Sequence, residues 1–289
     1  MIAIEFLLAP FVACLLLILI NVYFGIHVIR REIIFIDIAL AQIAALGSAV
    51  ALVIFRSLQP ETAHEHGHNN VFSYIFSLCF IILAALLFTS LKNRKISIPL
   101  EAIIGIAYAV AATATVIILD KGAGGDVHVH EMLIGSILWI SWHRVTLLFI
   151  VVFLVGTFHI VFRRKFLALS DTYIDKKITI KNPQLWDFLF YLTFGIVIIE
   201  AVNVAGILTV FAFLIIPASI SVILVKTWFT RILIGWIVSL FISVIGLYLS
   251  WKMDLQCSPL MILFLGVFLV IASVSKKLFT LKLSGHEKN

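Results

Sequence analysis

Long apolar segments recur along this chain of 289 residues, and they constrain its fold more than any other feature. Each segment is about 20 residues long and carries few charges, which suits an α-helix that crosses the hydrocarbon core of a bilayer. Apolar residues make up 63% of the sequence and charged residues 12%, whereas a soluble domain is about half apolar and a quarter charged. We therefore predict an all-α polytopic membrane protein. The nine predicted spans are 4–26, 33–55, 71–91, 98–119, 143–162, 185–203, 206–225, 231–251 and 258–275.

The count of nine depends mainly on the sixth and seventh segments. Val204 and Ala205 alone separate them, so a count of eight stays open. The apolar piece Met132–Ile140 is too short to span a bilayer, and it predicts a short re-entrant or interfacial helix. We find no internal repeat in the sequence, which predicts a single transmembrane domain over residues 1–289.

The basic residues predict the orientation of the spans, because cytoplasmic loops of membrane proteins are enriched in Lys and Arg. If the loop His27–Glu32 is cytoplasmic, alternation places nearly all of the 21 basic residues inside. The four that fall outside are Arg56, Lys121, Arg144 and Lys252. This arrangement puts the N-terminus outside and the C-terminus in the cytoplasm. It also accounts for the net charge of +6 without a nucleic-acid partner.

The second segment carries Asp37 and Gln42, and an ionisable residue inside a span is by default a functional hypothesis. Five helical residues turn the chain by about 500°, so these side chains lie about 140° apart and share no narrow face. Small residues between Ala41 and Ala51 allow a close approach of helices. We predict that Asp37 and Gln42 line a translocation path. The alternative is that Asp37 extends toward the inner headgroups, two turns from Arg31.

The sixth segment ends with Glu200 and Asn203, which are spaced i and i+3 and are therefore predicted to share one face. A carboxylate and an amide can help to coordinate a hard or borderline cation. We predict that both belong to the translocation path near its outer end, and ordinary solvation at the interface is the alternative.

Two outer loops, 56–70 and 120–141, are rich in histidine. Imidazole is a ligand for Zn, Cu, Ni and Fe, and such tracts indicate metal binding by composition alone. The spacing fits no closed structural zinc site, so the hypothesis is a weak capture loop, with a plain polar loop as the alternative. The candidate ligands are His64, His66, His68, His128 and His130.

Two features are predicted to face the cytoplasm. Pro217 is predicted to break or kink the seventh span near its inner end, leaving Ala218, Ser219 and Ser221 in a small polar turn. The polar segment Phe166–Gln184 has the length to dock a soluble partner, or it is an ordinary connector. The sequence contains no phosphate-binding loop of the type Gly-x-x-x-x-Gly-Lys-Ser/Thr, so no ATP hydrolysis, and no catalytic residue, is predicted for this chain.

These residues resemble the permease subunit of bacterial ABC importers for zinc, manganese or iron, the ZnuB-like family. The likeness extends over roughly residues 5–275, and the last of five ordered motifs is the most specific. The motifs are Gly25–Arg31, Ala39–Gly47, Glu101–Gly105, Ile134–Leu138 and Ala205–Ala218. The chain departs from the family at Gln42, which stands where many members have a histidine, four residues after an aspartate. The intramembrane His–Asp pair of the family is therefore not carried over intact.

The resemblance implies a homodimeric permease in the bacterial inner membrane. Its partners would be a cytoplasmic ATP-binding subunit and an extracytoplasmic metal-binding protein that delivers a divalent cation. The ATP-binding subunit would contact Asp171 and the residues Pro217, Ala218, Ser219 and Ser221. The histidine loops favour zinc, while manganese, iron or a metal chelate remains the alternative within the family. No covalently bound cofactor is implied. An ATP-independent secondary metal transporter is the alternative from another class, although such carriers usually contain repeats.

Overall fold

The structure, a computed structural model, describes residues 2–58, 66–92, 98–120, 135, 137–173 and 180–286. These residues form α-helices joined by short turns, and no strand occurs among them, which confirms the predicted all-α class. The helices are α1 (Ile2–Arg30), α2 (Ile36–Leu58), α3 (His66–Lys92), α4 (Leu100–Asp120), α5 (Trp142–Val161), α6 (Arg163–Asp171), α7 (Pro183–Ala205), α8 (Ile207–Leu224), α9 (Trp228–Met253) and α10 (Cys257–His286).

Nine of the helices in these ranges are long and apolar enough to cross a membrane, as predicted, and the short α6 is the exception. The uncertain boundary between the sixth and seventh spans lies at Gly206. It is the one residue between α7 and α8, and its φ of 78° falls in the left-handed region. A residue with a Cβ is strained in that conformation, so glycine lets two spans follow each other without a loop.

The structure describes only parts of two predicted connectors. The predicted loop 56–70 is shorter at both ends, because α2 continues to Leu58 and α3 begins at His66. The predicted helix Met132–Ile140 contains a single 3₁₀ turn, Ile137–Trp139, and residues 132–134 and 136 lie outside the described part.

Of the two outcomes predicted at Pro217, a break or a kink, the break does not occur, because α8 continues through this proline to Leu224. Proline removes one backbone donor from a helix interior. Membrane helices tolerate this when their surroundings satisfy the freed carbonyl group. Pro217, Ala218 and Ser221 are consequently buried helical residues, and Ser221 donates its hydroxyl hydrogen to the carbonyl oxygen of Ala218 at 2.7 Å.

The chain divides into two compact units. The first unit comprises 1–29, 133–152 and 204–289, and in it α8, α9 and α10 pack against one another. The indole N–H of Trp236 on α9 donates to the backbone oxygen of Leu19 on α1. The second unit comprises 30–132 and 153–203, and in it α2 packs against both α3 and α4. The second unit holds all the described path candidates.

Candidate functional site

Asp37 and Gln42 are both buried on α2, at 2% and 6% exposure. Asp37 lies in the first turn of the helix, where its carboxylate accepts hydrogen bonds from the backbone N–H groups of Asp37 and Ile38. A negative charge is favourable at this end of the helix dipole. Its Oδ1 atom has no partner among the described residues. The side chain of Asp37 is therefore packed within the protein, and its role in a translocation path stays a prediction.

The predicted close approach of helices at the small residues of α2 is present. A Cβ atom at Gly47 would lie 2.8 Å from the backbone oxygen of Phe76 on α3, so only glycine fits there. Beside it, the hydroxyl of Ser77 donates to the backbone oxygen of Ala44 at 2.7 Å. This contact fixes α2 against α3, so that the backbone bearing Asp37 and Gln42 is held firmly within the unit.

Glu200 and Asn203, which were predicted to share one face, both lie on α7 but differ in exposure. Glu200 is buried at 5% exposure, whereas Asn203, three residues later on α7, is exposed. Residues at i and i+3 lie about 60° apart around a helix, and the edge of the buried face falls between them. Tyr74 on α3 lies close enough to Glu200 to interact electrostatically with it.

The candidate path residues lie at different depths of the second unit. The Arg31–Asp187 ion pair, 3.4 Å long, brings the start of α2 to the first turns of α7. Glu200 lies thirteen residues after Asp187 on the same helix, which is about 20 Å along its axis. Within the described ranges, no group of three or more His, Cys, Asp or Glu residues is placed to hold a metal ion. Asp37 and Glu200 therefore mark separate levels.

The histidine tracts lie mostly outside the described residues. This holds for His64, His128 and His130, while His66 and His68 fall in the first turn of α3. Their predicted role as an outer metal-capture site stays a prediction. The proposed ATPase-contact residue Asp171 is described: it ends α6, is 30% exposed and pairs with Arg30 at 3.1 Å.

A buried charge cluster that the sequence did not reveal lies in the second unit: Arg31, Lys92 and Asp187. Arg31 Nη1 contacts Asp187 Oδ1 at 3.4 Å, with side-chain exposures of 0% and 1%. Lys92 at the end of α3 donates to the other oxygen, Oδ2. The guanidinium also lies 3.6 Å over the ring of Phe190, a favourable cation–π geometry. One carboxylate thus serves two cations from different parts of the chain.

The charge cluster reaches α6 through Ser170, because Arg31 Nε donates to its hydroxyl oxygen at 2.9 Å. α6 buries Phe166, Leu169 and Ser170 on one face. Phe166 stacks on His159 of α5 at 4.0 Å between ring centroids, and His159 in turn hydrogen-bonds to Thr193 of α7. α6 is therefore fixed to the spans by a stacked aromatic pair and by a charge-assisted hydrogen bond.

Tyr173, just after α6, covers the lysine of the cluster. The ammonium of Lys92 lies 4.3 Å from the centroid of its ring. Burial raises the pKa of the Tyr173 hydroxyl far above its ordinary value, so this ring stays neutral at physiological pH. A neutral ring can face a cation in this way, whereas a phenolate would add a second negative charge to the cluster.

Sequence reasoning treated Arg31 and Lys92 only as markers of a cytoplasmic loop. The structure places the ends of α1 and α3 and the start of α7 together through these side chains. This agrees with the predicted alternation, which assigns all three ends to one side of the membrane. Asp187 carried a usable signal, a lone acidic residue within the first turns of a span, where a basic partner is required.

The family model described as the ABC 3 transport family matches residues 3–276. Manganese transport system membrane protein MntC from Listeria innocua serovar 6a is 26% identical over 206 residues, covering 69% of this chain and 73% of that protein. Its counterpart in Listeria monocytogenes serovar 1/2a is 26% identical over 210 residues with the same coverage.

A similar fold occurs in a solved structure, that of PsaBC from Streptococcus pneumoniae in complex with Fab. The TM-score is 0.72, and the match covers 92% of this chain and 90% of the other at 16% sequence identity. At that identity the likeness concerns the fold alone.

Proposed function

Because this chain belongs to the ABC 3 transport family and is a metal-transporter permease, we propose that its cargo is Mn²⁺, imported into the cell. The proposal rests on one observation above all: the polar side chains buried on its candidate path are oxygen donors. Asp37, Gln42 and Glu200 offer carboxylate and amide oxygens. Carboxylate, carbonyl and water oxygens suit Mn²⁺, whereas thiolates and imidazoles suit zinc and copper.

The substitution at Gln42 supports the same choice. Members of the resembling family often have histidine there, and an imidazole would add a nitrogen ligand beside the aspartate. Glutamine offers a weaker neutral oxygen and cannot take up a proton. Relatives of this chain bear the name of a manganese transport system. In this proposal the ion passes Glu200 and Asn203 toward the outer end and Gln42 and Asp37 toward the inner end.

The proposal includes partners. The sequence has no phosphate-binding loop, so ATP hydrolysis belongs to a cytoplasmic ATP-binding subunit. An extracytoplasmic metal-binding protein delivers the ion, and two copies of the permease form the channel. The N-terminus lies outside and the C-terminus inside the cell membrane. On the cytoplasmic side the contact is formed at α6, which ends at Asp171, and around the inner end of α8.

Zinc is the second candidate, because of the histidine tracts 64–68 and 128–130. Imidazole-rich outer loops favour capture of zinc where it is scarce. Under this alternative, deletion of 64–68 lowers uptake at limiting zinc and leaves uptake at abundant metal unchanged.

Uptake in a host strain that lacks its own manganese and zinc importers tests the cargo. The permease is expressed with its ATP-binding subunit and metal-binding protein, and radiolabelled Mn²⁺ and Zn²⁺ are supplied separately at equal low concentrations. We expect Mn²⁺ uptake and growth rescue by manganese. Rescue by zinc alone contradicts the choice of metal, and rescue by neither metal contradicts a manganese or zinc importer.

The energy source is tested in the same cells. A substitution that inactivates the ATP-binding subunit is expected to abolish uptake, because the permease itself holds no ATP site. Uptake that persists at the unmodified rate would instead identify an ATP-independent carrier. The matched control is a silent change in the ATPase gene that leaves its expression and activity unaltered.

A further inference from the structure

The charge cluster of Arg31, Lys92 and Asp187 has no role in the proposed path, yet it is among the most buried polar features of the second unit. Two cations share one carboxylate, so the cluster carries a net positive charge. The side chains of its central pair, Arg31 and Asp187, are 0% and 1% exposed. Charges taken out of water are costly and are retained only where they are paired with good geometry. The burial of these three charged side chains therefore requires a structural or functional explanation.

The cluster joins parts of the chain that are far apart in sequence. Arg31 precedes α2, Lys92 ends α3, Asp187 lies on α7, and Arg31 also donates to Ser170 on α6. A displacement of α6 relative to α2, α3 or α7 would break at least one charge-assisted hydrogen bond inside the protein. In a low dielectric such bonds are strong and an unpaired member is costly. These four elements are consequently held together as one body.

Two of the joined helices carry the candidate path residues. α2 bears Asp37 and Gln42 shortly after Arg31, and α7 bears Glu200 about 20 Å beyond Asp187. The other joined element, α6, exposes the basic residues of its first turn and ends at Asp171, whose side chain is 30% exposed. Asp187 therefore lies between the cytoplasmic contact of the proposed function and the two helices that face the ion.

We infer that Asp187, with Arg31 and Lys92, is the joint that transmits movement of α6 to α2 and α7, and that Ser170 is the contact through which α6 engages it. This inference rests on the proposed function, since it requires an ATP-binding subunit that pushes on α6. Asp187 is a positioning residue in this role and does not touch the ion. Rigid-body movement of packed elements around a fixed interface is a common form of such transmission.

The sharpest test removes one hydroxyl group and leaves every charge in place. Ser170→Ala deletes the hydroxyl that accepts the hydrogen bond from Arg31 Nε, and the variant is expected to insert and assemble normally. The complex with its ATP-binding subunit and metal-binding protein is reconstituted in liposomes, and Mn²⁺ imported per ATP hydrolysed is measured. We expect this ratio to fall about tenfold, as for the loss of one hydrogen bond to a charged group, while ATP hydrolysis continues.

Two further variants make that ratio interpretable. Ser170→Thr keeps the hydroxyl and is expected to restore the ratio. Thr115→Ala deletes another buried hydroxyl of the second unit, one that donates only to Ala111 within its own helix at 2.9 Å, and is expected to leave the ratio unchanged. A merely structural role of Ser170 lowers the amount of active complex but leaves the number of ions per ATP as it was.

A charge-free version tests the joint itself. Replacing the cluster by Arg31→Met, Lys92→Met and Asp187→Leu removes the costly burial of charge, and such replacements often preserve or improve stability. We expect a stable complex that hydrolyses ATP with little import. Import per ATP equal to the unmodified complex, in this variant or in Ser170→Ala, overturns the inference. If the unmodified complex itself shows no ATP-dependent import of Mn²⁺ or Zn²⁺, the proposed function has failed instead.

Discussion

Two aspartates of the second unit occupy nearly the same kind of position and have opposite surroundings. Asp37 is the second residue of α2, Asp187 is the fifth residue of α7, and both are buried, at 2% and 1% exposure. Asp187 bonds a guanidinium through one oxygen and an ammonium through the other. Asp37 has only helix amides, and its Oδ1 atom has no partner among the described residues.

The difference teaches how to distinguish a structural charge from a functional one inside a membrane protein. A carboxylate whose two oxygens each bind a cation has its charge already compensated, and it serves to hold helices together. A buried carboxylate with an oxygen left over can accept a cation that passes by. Burial alone does not separate the two cases, because the two exposures are almost equal. The hydrogen-bond and ion-pair partners of each carboxylate distinguish the structural charge from the functional one.

The largest effect is expected for Asp187→Asn. This change leaves Arg31 and Lys92 buried without their shared counterion, and removal of one member of a buried pair costs about 3–5 kcal/mol. We expect a large loss of folded protein in the membrane, measured as the monodisperse fraction after detergent extraction and its thermal midpoint.

The control for this loss is a second change at Lys92. Asp187→Asn combined with Lys92→Gln restores the net charge of the cluster and is expected to recover part of the folded protein. If Asp187→Asn alone is as stable as the unmodified protein, the pairing seen around Asp187 does not hold the helices together and the comparison with Asp37 fails.

A loss of transport without loss of protein is expected for Asp37→Asn. The change is nearly isosteric and breaks no ion pair with the residues that the structure describes, so the extracted amount and thermal midpoint should stay close to those of the unmodified permease. Removing the charge removes a ligand for the cation, and we expect Mn²⁺ uptake to fall roughly tenfold or more. Uptake at the unmodified rate would show that the free oxygen of Asp37 serves only the helix terminus, where acidic residues are stabilising.

A change of metal preference is expected for Gln42→His, which places an imidazole on the same helix as Asp37. A nitrogen ligand favours zinc over manganese in the general affinity order. We expect the ratio of Zn²⁺ to Mn²⁺ uptake to rise about fivefold, measured by competition between the two ions. Gln42→Asn, which keeps an amide, is the matched control. An unaltered ratio in the histidine variant would remove Gln42 from the path.

Hydropathy alone predicted the nine spans, because each apolar segment has to match the same bilayer thickness, whatever packs beside it. It also marked Asp37, since a charge in such a segment is conspicuous in any sequence. Asp187 escaped notice because its partners lie 156 and 95 residues away in the chain. The unbroken helix at Pro217 and the different exposures of Glu200 and Asn203 could not be predicted for a related reason. Local spacing does not indicate which neighbours satisfy a carbonyl group or where the buried face of a helix ends.

The smallest effect is expected at the ion pair of Arg30 and Asp171, which sharpens the comparison by separating pairing from burial. These side chains meet at 3.1 Å but are 21% and 30% exposed. Exposed ion pairs contribute about 0.2–1 kcal/mol and weaken with salt. Arg30→Gln should therefore shift the thermal midpoint far less than Asp187→Asn, and its small effect should vanish at high ionic strength. The neighbouring Arg31 differs from Arg30 because it is fully buried and bonded to Asp187. If Arg30→Gln lost as much stability as Asp187→Asn, closeness to the charge cluster would determine the loss of stability, and burial of a shared carboxylate would not.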